Sequence, residues 1–134
     1  MDLSKVTILI IGCGQIWEEI TDALAQVEFM VAPASSNDPG LHQGLGQPVE
    51  LIIAEAPPAE DEDFIPSLRR ITDAPIAVIG VHSGTEDLVR TVVQGADLYL
   101  QFPMDPQEFL ARIYALIRRY LAQKPSPRPL HIQD

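Results

Sequence analysis

The sequence predicts an α/β protein: five parallel strands in a doubly wound sheet, with helices on both faces as a three-layer sandwich. Three observations predict it. The runs VTILII (Val6–Ile11), LIIA (Leu51–Ala54) and IAVIGV (Ile76–Val81) are apolar without alternation, as strands buried on both faces are. Segments with helical spacing stand between them. The joints are short and rich in Gly, Pro and Asp.

Val6–Ile11 is the first strand, broken by Gly12-Cys13-Gly14. Ile16, Trp17, Ile20 and Leu24 follow at helical spacing, so the first helix runs to about Gln26. Phe29–Ala32 is a brief second strand. Ser35–Pro48 is rich in Gly, Pro, Ser and Asn, and a second helix there would be short or distorted. Leu51–Ala54 is the third strand. Ala56-Pro57-Pro58-Ala59 and the acidic run Glu60–Asp63 form a loop, and Phe64, Leu68 and Ile71 mark the third helix. Asp73-Ala74-Pro75 turns into the fourth strand, Ile76–Val81. Leu88, Val89, Val92 and Val93 repeat at helical spacing, and Gly95 stops that fourth helix. Leu98–Gln101 is a short fifth strand. Asp105 as N-cap, Pro106 in the first turn and Glu108 open the fifth helix. Phe109, Leu110, Ile113, Leu116, Ile117 and Leu121 give it one broad apolar face. Right-handed crossovers between such strands favour the order 2-1-3-4-5, the flavodoxin-like arrangement.

The 134 residues suffice for one domain with a substantial core, placed at 1–123. Residues 124–134 (KPSPRPLHIQD) are proline-rich and have little to bury, which reads as a tail or linker. No apolar run is long enough to span a bilayer, and no signal peptide opens the chain. The single cysteine, Cys13, excludes an internal disulfide and suits a reducing cytoplasm. A net charge of −10 repels phosphates, so the chain itself is not expected to hold DNA or RNA.

Few residues suggest chemistry by spacing alone. Gly12-Cys13-Gly14 between a strand and a helix has the start of a dinucleotide fingerprint, but Trp17 stands at the third glycine position and no acid ends the second strand. Cys13 could be a reactive thiol with His82 as its base, or a small packed residue; no third group orients the pair. His42 and His131 have no companion at metal-ligand spacing. The run Glu60–Asp63 reads first as a solvated face. Trp17 reads as packed against the sheet. No metal site and no cofactor is expected.

The stretch GADLYLQFPMDPQEFLARI resembles the end of a two-component response-regulator receiver domain, the CheY-like fold. Gly95, Ala96, Asp97, Tyr99, Pro103, Pro106, Glu108 and Arg112 match that pattern; Phe102 stands where the family has lysine. The resemblance extends from Val6 to about Tyr120. It implies five groups at the strand ends: two acids that hold Mg²⁺, an aspartate that accepts the phosphoryl group, a Ser/Thr and a lysine. The corresponding positions here hold Gly12, Cys13, Glu55, Gly80 and Phe102, so all five are changed. Glycine offers no ligand, a thiol is a poor Mg²⁺ ligand, and phenylalanine supplies no cation. Glu55 could stand as a fixed carboxylate or simply meet solvent; the second reading is preferred, because the hydroxyl and amine that would respond to it are missing. The family's cis bond before the proline is expected at Phe102–Pro103.

Arg118-Arg119, the proline-rich segment and Leu130-His131-Ile132 resemble the linker of OmpR/PhoB-type regulators, which leads to a winged-helix DNA-binding domain. The resemblance thus implies a degenerate receiver, not an enzyme, in a transcriptional regulator. Tyr99 matches the family's switch aromatic. A homodimer is expected through the fourth helix, fifth strand and fifth helix, with Leu88, Asp97, Leu98, Glu108, Arg112 and Arg119 at the interface. Two further readings remain: a stand-alone protein-interaction domain, and a small-molecule or redox sensor built around Cys13, His82 and Phe102.

Overall fold

A computed structural model describes residues 6–12, 15–26, 30–34, 49–57, 60–81 and 84–123. In chain order the elements are β1 (Thr7–Ile11), α1 (Gln15–Ala25), β2 (Met30–Ala34), β3 (Leu51–Glu55), α2 (Phe64–Ile71), β4 (Ile76–Val81), α3 (Thr85–Gln94), β5 (Leu98–Phe102) and α4 (Pro106–Gln123). The second helix expected within Ser35–Pro48 lies outside the described residues, so α3 and α4 correspond to the fourth and fifth expected helices.

All strand pairings are parallel, in the order β2-β1-β3-β4-β5. The central strands are apolar on both faces because both faces are covered. Ile8 and Ile10 of β1, Leu51 and Ile53 of β3, and Ala77 and Ile79 of β4 point to one side. There they meet Trp17, Ile20 and Leu24 of α1 and Phe109, Ile113, Leu116 and Ile117 of α4. The alternate residues Leu9, Ile11, Ile52, Ala54, Ile76 and Val78 meet Ile65 and Leu68 of α2 on the other side. Period-two side-chain direction splits each apolar run between the two cores. Full burial of a Leu, Ile or Phe contributes about 1.5–3 kcal/mol, so these two layers dominate the stability.

Both helices whose apolar residues marked them in the sequence leave part of those residues in solvent. In α2 the buried residues are Ile65 and Leu68, whereas Ile71 is 45% exposed at the helix end. In α3 the only buried residue is Thr91, and the stripe Leu88, Val89, Val92 and Val93 is exposed at 39%, 56%, 45% and 80%. Arg90 donates to the Pro57 carbonyl at 3.3 Å and pairs with Asp87 at 2.7 Å.

The helix ends follow the sequence signals. Gly95 closes α3 with φ of 127°, a value that L side chains rarely adopt, and its N–H bonds back to the carbonyls of Thr91 and Val92. At the start of α4, the Asp105 carboxylate accepts from the Gln107 N–H at 2.7 Å. The Asp105 carbonyl accepts from Phe109 N–H at 2.9 Å. The Phe102–Pro103 peptide is cis, as expected. No helix among the described residues is long and apolar enough to cross a membrane.

Candidate functional site

In a parallel sheet all strands end on one edge, and the loops there carry chemistry in folds of this class. Four of the five compared positions fall on that edge, each within one residue step of the one on the neighbouring strand. Ile11 pairs with Ala54, so Gly12 and Glu55 follow at neighbouring strand ends. Glu55 pairs with Ile79, the residue before Gly80. Gly80 pairs with Gln101, the residue before Phe102. Cys13 and His82 lie outside the described residues, as do His42, His131 and the tail 124–134.

The side chains at these ends are mostly turned to packing. Gly12 sits under the indole of Trp17, which is 5% exposed. Glu55 is exposed at the end of β3. Gly80 is buried within β4 and offers no hydroxyl. Phe102 is 6% exposed, and its ring meets Phe109 edge to face, 5.6 Å between centroids at 73°. An aromatic pair of this geometry adds about 0.5–1.5 kcal/mol beyond its buried area. A notch of about 60 Å³ lies beside it, lined by Ile16, Ile20, Ala23, Phe102, Met104 and Phe109, with Glu19 at its rim. Among the described residues, no three His, Cys, Asp or Glu side chains gather as a metal site. For the dinucleotide reading, Trp17 fills the third glycine position and packs over Gly12, the first, while the second, Gly14, lies outside the described residues.

Tyr99 is half-buried against the α2-side core. Glu60, Asp61, Glu62 and Asp63 are exposed, and Asp63 precedes α2 without a side-chain cap.

The residues expected at an interface are distributed unevenly. Leu88 faces solvent on α3. Leu98 is half-buried and packs on the α1/α4-side core. Asp97 is engaged within the chain. Its Oδ2 accepts from the Ile76 N–H at 2.8 Å and from Arg69 at 3.1 Å. Arg69 also donates to the Ala74 carbonyl at 2.9 Å. This cluster ties the start of β5 to the start of β4 and to α2. Sequence reasoning missed it: residues 69 and 97 stand on separate elements, and only the crossover brings them together. Glu108 pairs with Arg112 one turn along α4, at 2.9 and 3.1 Å. Arg119 is exposed and lines an open cleft of about 240 Å³ with Asp73, Pro75, Asp97, Leu116 and Tyr120.

No family model matches the sequence. The chain is 33% identical over 98 residues to the response regulator ArlR of Staphylococcus epidermidis, covering 72% of this chain and 45% of that protein. It is 33% identical over 110 residues to the phosphate regulon transcriptional regulatory protein PhoB of Escherichia coli, covering 78% and 48%. The chain spans about half the length of the curated relatives it matches. Among solved structures, a response regulator from Thermotoga maritima superposes with a TM-score of 0.73 at 20% identity, covering 84% of this chain and 98% of that one. A response regulator receiver domain protein from Clostridium thermocellum gives 0.74 at 21% identity, covering 89% and 99%. The chain has the fold of response-regulator receiver domains. Its sequence relatives are regulators of the OmpR/PhoB type.

Proposed function

We propose that this chain is a pseudo-receiver: a regulatory module that works without phosphorylation, as part of a cytoplasmic transcriptional regulator whose DNA-binding domain follows it. The observation that carries this reading is the chemistry of the strand edge. Gly12 lies beneath an indole, Gly80 lacks a hydroxyl, and Phe102 is buried in aromatic contact where a cation would be needed. Phosphoryl transfer is stabilised almost wholly by positioned cations and donors. Glu55 alone supplies neither. The reading is of a binding module and not an enzyme.

The partner proposed is a second copy of the chain, docked through α3, β5 and α4. Four exposed aliphatic side chains on α3 support this, since monomeric surfaces rarely gather such a stripe without a use. Glu108, Arg112 and Arg119 would form the polar rim. Asp97 is better assigned to the Arg69 clamp than to a cross-pair with Arg112 of the second copy. The sensor reading rests on a pocket around Cys13, His82 and Phe102, and of these only Phe102, buried against Phe109, lies among the described residues.

Amide chemical shifts recorded with Mg²⁺ and then beryllofluoride test the reading. No saturable change is expected at Gly12, Glu55 or Gly80. Clustered, saturable shifts at those amides would mean a working phosphorylation site and would sink the proposal.

A further inference from the structure

The lone tryptophan and the glycine five positions before it form a packed pair at the carboxyl end of β1. A Cβ placed on Gly12 would overlap the indole, with Cδ2 and Cζ2 of Trp17 at 2.7 Å and Cε2 nearer still. The obstruction is a stiff ring, not the end of a flexible side chain, so the whole indole would have to move. The backbone is not the reason for glycine here. Among the described glycines only Gly95 has a positive φ, and the conformation at Gly12 suits any L residue.

We infer that Trp17 is an internal plug that decides what this edge of the sheet admits. Its indole occupies the space that a side chain at position 12 would need, and it is continuous with the core side chains Ile20 and Leu24. A carboxylate at 12 would face an apolar ring with its charge poorly solvated. No side chain can stand at position 12 unless the indole moves. This deepens the pseudo-receiver reading and rests on it for the identity of the edge. The inference adds that the acid position is filled from within, and that Trp17 is the residue that fills it.

Gly12→Ala, Trp17→Leu and the double variant, made in the full chain, test the plug by denaturant unfolding and by the emission of the single tryptophan. Gly12→Ala alone is expected to lower the folding equilibrium constant about 5- to 150-fold, the usual range for overpacking. The emission should move to the red as the ring is displaced. In the Trp17→Leu background the same substitution should cause no loss, or a gain of about two- to fivefold from the stiffer unfolded chain. If Gly12→Ala alone does not fold, recovery by Trp17→Leu supports the plug equally. Unchanged midpoint and emission in Gly12→Ala, or an equal loss with and without Trp17, would overturn it. That result, without any Mg²⁺ response in the wild type, would leave the pseudo-receiver reading standing; a saturable Mg²⁺ response would remove that reading whatever the plug does.

Discussion

The carboxyl edge of the sheet and the outer face of α3 depart from ordinary surface chemistry in opposite directions. At the edge, where charged groups would be functional, Trp17 and Phe102 are drawn into the core. On α3, where a polar face would be ordinary, Leu88, Val89, Val92 and Val93 are exposed while Thr91 is buried. The first region is satisfied by the chain itself, and the second is not. Apolar area left in water is unfavourable, whereas aromatic side chains packed together have left it. The contrast separates strand ends turned to packing from an apolar helix face turned to solvent.

The strongest way to break this contrast is to return charge to the packed region. Phe102→Lys removes the ring contact with Phe109 and brings an ammonium to a position that is 6% exposed. A loss of about 3–5 kcal/mol is expected, from the missing aromatic burial and the poorly solvated cation. Thermal unfolding followed by circular dichroism would register it as a fall of many degrees. A melting temperature equal to that of the wild type would mean that the β5 end is not packed as core.

The exposed region should respond in the opposite way. Leu88→Glu lies on an exposed position, so the monomer should keep its stability to within about 0.5 kcal/mol. Self-association should weaken at least tenfold, or about 1.4 kcal/mol. Sedimentation across a concentration series reads both species. A wild type that stays monomeric at high micromolar concentration, or a dimer indifferent to Leu88→Glu, would remove α3 from the interface.

A smaller effect sharpens the boundary between the two regions. Asp97→Asn neutralises the partner of Arg69 but leaves an oxygen that can accept from the Ile76 N–H. The pair is 32% and 42% exposed, so solvent screening limits the loss to about 0.5–1 kcal/mol. If the assignment of Asp97 to the intrachain clamp is right, dimer affinity should hardly change. A large loss of association with little loss of stability would return Asp97 to the interface.

Much of this architecture was legible in the residues. The runs at Val6–Ile11, Leu51–Ala54 and Ile76–Val81 differ from β1, β3 and β4 by at most one residue at either end. Asp105, Pro106 and Gly95 marked helix boundaries because capping is a local act, decided within one turn. What could not be read was the use of each helix face. Periodicity shows that Leu88, Val89, Val92 and Val93 share a side of α3, but not whether that side meets the sheet or water. The Arg69–Asp97 clamp depends on where a crossover returns. Gly12 and Trp17 are close in sequence, yet their pairing depends on how α1 is set against β1. The changed strand-end residues were visible from the resemblance, but the filling of their space by aromatic rings was not.

The inner side of α3 has one more consequence. Contacts between aliphatic side chains have little directional preference, so a helix seated only on them has some freedom to roll or slide. Hydrogen bonds weaken steeply with angle. Arg90 reaches the carbonyl of Pro57, two residues past Glu55, and the buried Thr91 hydroxyl is turned back onto the carbonyls of Asp87 and Leu88. Of these bonds only that of Arg90 leaves the helix, so the apolar stripe is aimed in part by one polar anchor on the opposite side of α3. Its bearing on the surface is set like that of a sign bolted through its post, with the fastening hidden behind the face on display.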